Sequence, residues 1–471
     1  MGKTKTYVKN TIILLIGKFV TQFMSLFLLP LYTHYLLSSD YGLVDLYQTY
    51  ISLFVPVFLL CLDSAVFRFM IDSRKNEEEQ KKILTTSIVK TSKQALILIL
   101  TSIVLSCFVK INYLHLVIIN AVLIMYSNVF LQLCRGLGKN INYSIACIIT
   151  GFVTLITNLV LIVGLKFNAS SILISSSLAN FCCICFIFFS LKIYKIINKE
   201  NYDKKIVKKL TKYSIPLIPN ALSWWIVNVS DRTLISLIIS TSANGIYTVS
   251  CKFSNILNSV FSIFTMSWQE TASLHINDED KDQFFSKMIN AIYLLFVLIS
   301  VVLIFIINVG FDFLVGREYI SSYNYIPILI LANSFNVLIG LFGGVYIAKK
   351  LTKKMTSTTI ISAVINLLFN AIFINYLHLY AACLSTLVAY SVMAIYRYFD
   401  IQKYVKVKLY MKTILISIIC FTLSLISYYS KNNLISYSLF LITFVVLLIS
   451  NKDIIKKYYR KISKKVINVK N

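Results

Sequence analysis

Ser39-Asp40-Tyr41-Gly42-Leu43 and Ser242-Ala243-Asn244-Gly245-Ile246 are two versions of one short polar turn, each set between long apolar runs, and their glycines lie 203 residues apart. A second echo pairs Leu155-Ile156-Thr157-Asn158 with Leu367-Leu368-Phe369-Asn370 at an offset of 212, where Ala169 also matches Ala381 and Leu173 matches Ser385. The chain is therefore built from two weakly similar halves. If each half crosses a membrane an even number of times, the halves share one orientation and are parallel repeats about an axis along the membrane normal.

The runs around these turns are long enough to cross. Spanning the hydrocarbon core takes about 20 apolar residues. Such runs read as spans over 11–37, 44–70, 83–109, 113–134, 143–165 and 170–194, and then over 213–239, 246–271, 286–311, 322–348, 357–376, 378–400, 411–429 and 433–450. A hydrophobic fraction of 58% with only 14% charged residues excludes an ordinary soluble protein, as does a mean hydropathy of +0.76. The expected fold is an all-α polytopic membrane protein of about 14 transmembrane helices. It divides into an N-terminal six-helix bundle (1–194), a basic linker (195–212), a second six-helix bundle (213–408), two further helices (409–450) and a basic tail (451–471).

The net charge of +27 follows this topology. Lys3, Lys5 and Lys9, then Arg74, Lys75, Lys81 and Lys82, Arg135 and Lys139, seven lysines from Lys195 to Lys212, Lys349 to Lys354, Lys403 to Lys408 and the tail from Lys452 all fall on one side of a fourteen-span chain. The opposite loops hold only Lys110, Lys166, Arg317 and Lys431. The positive-inside rule then makes both termini cytoplasmic. Topology accounts for the charge, so no nucleic-acid partner is expected. The start Met1-Gly2-Lys3-Thr4-Lys5-Thr6 formally fits a myristoylation pattern. With Lys18 inside the first span and no cleavage site after it, the start reads as a cytoplasmic lead into an uncleaved helix. Heavy use of Ile, Lys and Asn suggests an AT-rich bacterial genome, hence the cytoplasmic (inner) membrane.

Four spans carry polar stripes. These are Thr11, Lys18, Gln22 and Ser25; Asp45, Thr49, Ser52 and Asp63; Asn220, Trp224, Asn228 and Asp231; and Thr248, Lys252, Asn255, Ser259 and Glu270. Spacings near 4, 7, 11 and 18 keep each set on one helix face. Charge inside a bilayer is costly and normally faces a water-filled cavity or a partner. The striped helices are the first two of each half, so the stripes converge on the interface between repeats, where transporters place their substrate.

Lys18, Gln22, Asn228, Asp231, Arg232, Lys252 and Asn255 are the candidate cavity residues. Arg232 would bind an anionic group, with Asp231 orienting it or carrying a proton; alternatively the pair ties two helices together. Trp224 and Trp225 either stack on a sugar or pack. Lys18 and Lys252 either face the cavity or snorkel to the interface. Asp63, Arg68 and Glu270, near one set of helix ends, either close an inward gate as salt bridges or sit solvated. Pro30, Pro56, Pro216, Pro219 and Pro327 lie in or beside spans, where a missing backbone donor permits a kink. Neither a phosphate-binding loop nor a nucleophile elbow occurs, and no extramembrane loop is long enough for a catalytic domain. No catalytic residue, metal ligand or cofactor is expected; Cys182, Cys183 and Cys185 sit in an apolar run without a second ligand pair.

Asn10-Thr11 through Gly17, Pro30-Leu31-Tyr32-Thr33, Asp40-Tyr41-Gly42 and Asp63-Ser64-Ala65-Val66-Phe67-Arg68 resemble the O-antigen-type polysaccharide flippases of the multidrug/oligosaccharidyl-lipid/polysaccharide exporter superfamily. So does Lys349 to Tyr390, with Tyr380 where the family usually has a glycine before paired alanines. The resemblance implies a carrier that moves an undecaprenyl-pyrophosphate-linked oligosaccharide from the cytoplasmic to the outer leaflet. It also implies a polysaccharide polymerase and chain-length machinery as partners alongside the lipid bilayer. Rival readings are a lipid II flippase, a cation-coupled drug exporter of the same fold, and a membrane polysaccharide polymerase. Lys18, Lys252 and Arg232 favour an anionic substrate over an organic cation, and short outer loops disfavour the polymerase.

Overall fold

A computed structural model describes residues 24, 27–108, 112–349, 351–430 and 433–450. The chain is all-helical and polytopic. Its helices are α1 (described over 27–35), α2 (Ser38–Phe58), α3 (Leu62–Asp72), α4 (Glu77–Ser106), α5 (Leu114–Gly136), α6 (Asn140–Asn158), α7 (Ser170–Ser190), α8 (Lys204–Ser214), α9 (Ile218–Ile238) and α10 (Thr241–His275). They continue as α11 (Lys281–Leu314), α12 (Ile326–Ala348), α13 (Thr352–Leu377), α14 (Leu379–Ile401), α15 (Met411–Tyr429) and α16 (Asn433–Ser450). Among the described residues nine helices are long and apolar enough to cross a membrane, or ten if the bent pair α2–α3 counts as one span.

That pair departs from the sequence reading of one span over 44–70. The α2 and α3 axes meet at 51°. Pro56 lacks the N–H that would bond one turn back, and the helix unwinds just beyond it. Leu60 and Cys61 both take positive φ, 56° and 49°. The Cys61 N–H then reaches back to the Pro56 carbonyl at 2.9 Å and the Leu60 N–H to Val57 at 3.0 Å, a left-handed helix stop normally built on glycine. Asp63 therefore starts a new helix, and the stripe of Asp45, Thr49 and Ser52 does not run on to it. The α6 span ends in a wide turn over Leu159–Gly164.

Contacts divide the chain into two compact units, one reaching to Thr248 and taking in Gly316–Tyr319, the other formed by Val249–Val315 and the residues from Ile320 on. In the first unit α7 packs on α5 and α6, α3 on α5, and α2 on α9. In the second, α14 packs on α12 and α13, and α11 on α12, α15 and α16. Close approach in the second unit depends on small residues. A Cβ at Gly344 would lie 2.4 Å from the Trp268 indole nitrogen, and one at Gly340 2.4 Å from the Phe261 ring. The indole N–H donates to the Leu341 carbonyl at 2.9 Å.

The second unit also buries a cation that the sequence reading missed. Arg397 is 2% exposed. Its guanidinium donates to the Thr358 hydroxyl (2.8 and 3.0 Å), to the Ile339 and Met355 carbonyls (3.1 and 3.2 Å) and to the Thr359 hydroxyl (3.3 Å). One turn on, Asp400 accepts from Tyr346 at 3.0 Å and pairs with Lys354 at 2.9 Å and Lys403 at 3.3 Å. The fan of five guanidinium donors suits such a set of fixed acceptors.

Candidate functional site

The two segments that announce the repeat are not links between helices but the first turns of α2 and α10, and they meet each other in the first unit. A Cβ on Gly42 would lie 1.8 Å from the Thr241 carbonyl oxygen and 2.7 Å from the Gly245 nitrogen, and one on Gly245 would lie 2.2 Å from the Ser38 oxygen. Only a bare Cα fits at either position, because the start of α2 crosses the start of α10 backbone to backbone. The Asn244 amide donates to the Gly42 carbonyl at 2.8 Å, and the hydroxyls of Ser38 and Ser242 are 2.7 Å apart. Gly42 thus meets Thr241 while Gly245 meets Ser38, the reciprocal contact expected about a two-fold axis. The segment 316–319 closes on the same place. Glu318 accepts the Ser38 N–H at 2.8 Å, a carboxylate at a helix N-terminus where the dipole favours it. The Tyr319 hydroxyl donates to the Leu36 carbonyl at 3.0 Å.

One turn inward from the glycines lies the charge. The Thr248 hydroxyl donates to the Asp45 carboxylate at 2.8 Å, and these two residues are again 203 apart. The same carboxylate oxygen pairs with Arg232 Nε at 3.2 Å, the side chains being 11% and 19% exposed. The neighbouring Asp231 is 4% exposed and accepts the Tyr247 hydroxyl at 3.1 Å. Further along the α2–α9 contact the Trp225 indole donates to the Thr49 carbonyl at 3.0 Å. Three helices, α2, α9 and α10, so converge on two carboxylates, a guanidinium and two hydroxyls. Low dielectric strengthens each of these contacts and raises the cost of breaking them unevenly.

Of the candidates read from sequence, Asp231 and Arg232 come together here, with Asp45 joining them from the second stripe. Lys252 and Asn255 belong to the second unit, on α10. There the Asn258 amide donates to Asn255 at 3.2 Å and to Asn333 at 2.9 Å, Asn336 donates to Asn258 at 3.1 Å, and Asn333 donates to the Ser254 carbonyl at 2.9 Å. Lys18 and Gln22 lie outside the described residues, as does the side chain of Asn228. Arg68 forms an exposed pair with Asp72 inside α3 at 3.6 Å. Glu270 is exposed on α10, and Asp63 is half-buried in the first turn of α3. Trp224 is 45% exposed and Asn220 exposed. The signal that singles out Asp45 in the sequence is its match to Thr248 at the repeat offset.

The architecture is shared with solved membrane transporters. A multidrug-resistance transporter of the MATE family, in its inward-facing conformation, superposes with a TM-score of 0.68 at 14% identity, covering 83% of this chain and 98% of that one. The lipid II flippase MurJ, in an inward closed conformation, gives 0.68 at 18% identity over 94% of this chain and 100% of its own. A MOP superfamily transporter from Pyrococcus furiosus gives 0.56 at 13% identity over 85% and 96%. No curated protein is similar enough in sequence to count as a match. The fold is that of the MOP superfamily of polytopic membrane transporters. Residues 7–269 match the family described as polysaccharide biosynthesis protein, and the chain belongs to that family.

Proposed function

We propose that this protein is a flippase. It would carry an undecaprenyl-pyrophosphate-linked oligosaccharide repeat unit from the cytoplasmic to the outer leaflet of the bacterial inner membrane, by alternating access, for export of surface polysaccharide. It moves its substrate and does not transform it; its termini are cytoplasmic, and polymerase and chain-length machinery act on what it delivers. The observation that carries this reading is the Asp45–Arg232–Thr248 contact in a chain of the polysaccharide biosynthesis family. A pyrophosphate and a sugar chain cross hydrocarbon only at prohibitive desolvation cost, so a carrier needs cationic and hydroxyl groups within the bilayer. Arg232 supplies a bidentate-capable cation whose carboxylate partner an incoming phosphate displaces. Lys18, Gln22, Asn228, Asp231, Lys252 and Asn255 line the path in this reading, and Asp63, Arg68 and Glu270 act in gating or coupling.

A second reading, a lipid II flippase, is favoured by one observation: likeness to MurJ extends over 94% of this chain, beyond the 83% shared with the MATE transporter. The two readings separate in proteoliposomes. A labelled undecaprenyl-pyrophosphate oligosaccharide should become accessible to an outside glycosidase at a rate set by the protein, and lipid II should not compete. Movement of lipid II alone would select the second reading, and chain lengthening would make the protein a polymerase.

A further inference from the structure

The basic linker is a docked helix with its lysines turned outward. Ile206, Leu210 and Ser214 of α8 are buried against α3 and α4. Asp203 caps the helix by accepting the Lys205 N–H at 2.7 Å, and its own N–H donates to the Thr86 hydroxyl at 3.1 Å. At the other end Lys90 donates to the Thr211 hydroxyl, and the Tyr213 ring meets Phe69 edge-on at 5.9 Å. The apolar face is therefore spent on protein and leaves no side for insertion into lipid. Lys204, Lys205, Lys208, Lys209 and Lys212 are all exposed. Among the described residues none of them lies within salt-bridge distance of a carboxylate. The one acidic side chain of the sequence outside the described residues is Asp453.

Exposed apolar and aromatic side chains bracket the lysines: Tyr194 and Ile197 before them, Tyr213 and Ile215 after them. The two tyrosines are of the kind that settles at the depth of lipid headgroups. The chain then passes from Ile215 through Pro216 directly into α9. A cluster of lysines adjoining a helix that the sequence reads as a span (213–239), with aromatics at its edges, suits the surface of an anionic leaflet.

We infer that the α8 lysine face is a binding surface for anionic phospholipid headgroups, holding the linker helix to the membrane surface by charge. Each lysine close to such a surface contributes about a fivefold factor to binding. The test uses the full chain in mild detergent, titrated with phosphatidylglycerol or phosphatidylcholine while its melting temperature is followed. Phosphatidylglycerol should raise the melting temperature well beyond phosphatidylcholine, and added salt should erase the difference. With Lys204, Lys205, Lys208, Lys209 and Lys212 all changed to Gln, the apparent affinity for phosphatidylglycerol should fall by about tenfold or more. All five changed to Arg should retain it. Equal responses to the two lipids, a response indifferent to salt, or an unaltered glutamine variant each overturn the proposal. If the glutamine variant does not fold, the salt dependence of the unaltered chain and the arginine variant decide the matter. A response to undecaprenyl pyrophosphate without one to phosphatidylglycerol also overturns it, and would make the face a receiving site for substrate.

Discussion

Arg232 in the first unit and Arg397 in the second are both arginines within membrane-crossing architecture, yet they are held in opposite ways. Arg397 is nearly sealed and spreads its donors over two backbone carbonyls and two hydroxyls, none of which can leave. Arg232 keeps 19% of its side chain exposed and leans on a carboxylate carried by another helix. A guanidinium that fills fixed acceptors is part of the frame. One that shares a carboxylate carried by another helix can, in the function we propose, trade it for a phosphate, because the exchange keeps the guanidinium in a charge-assisted pair. Under the proposed function, the kind of partner, and not burial alone, separates a transport site from the frame.

Variants at four positions break or sharpen this contrast. The largest effect belongs to Gly42→Ala, since the added carbon would sit 1.8 Å from a carbonyl oxygen and must part α2 from α10. A loss of about 3 kcal/mol or more is expected, read as failure to recover monodisperse protein. Arg397→Ala follows, stranding several acceptors at a cost of about 3 kcal/mol in detergent melting. Arg397→Lys should rescue little of this, because an ammonium cannot reproduce the fork. Third, Arg232→Gln leaves the mostly buried Asp45 with the Thr248 hydroxyl and should cost about 2 kcal/mol in melting, less than Arg397→Ala. Its flipping rate should nevertheless fall by about tenfold or more, the loss of one charge-assisted contact. Arg232→Lys should keep part of the rate. If Arg232→Gln transports normally, or destabilises as much as Arg397→Ala, the two arginines do not differ in the way proposed. The smallest effect is expected of Arg68→Ala, whose pair with Asp72 is local and more than half exposed. A change within about 0.5 kcal/mol, with transport intact, would remove it from any gate.

Much of the fold was legible from the residues. Apolar runs of spanning length, the lysine bias and the 203-residue echo of Gly42 in Gly245 follow from composition and local pattern, and the all-helical polytopic architecture bears out the first of these. The break between α2 and α3 was only half legible. Pro56 announces a kink, but nothing local announces a helix stop on Leu60 and Cys61, residues that ordinarily avoid positive φ. Arg397 escaped notice because its run, Leu379–Ile401, shows no stripe at helical spacing; its acceptors come from α12 and α13.

What the sequence by itself determined is where the chain enters apolar surroundings and which helix faces carry polarity, since hydrophobic length and 3.6-residue periodicity are local properties. Only the tertiary structure decided which charge meets which. That Asp45 takes Arg232 and Thr248, that Glu318 caps α2, and that Arg397 is satisfied by neutral groups all depend on contacts between residues far apart in the chain. The physical reason is that a polar group in a low-dielectric interior must find a partner, while the partner's identity is set by which helices cross and at what depth.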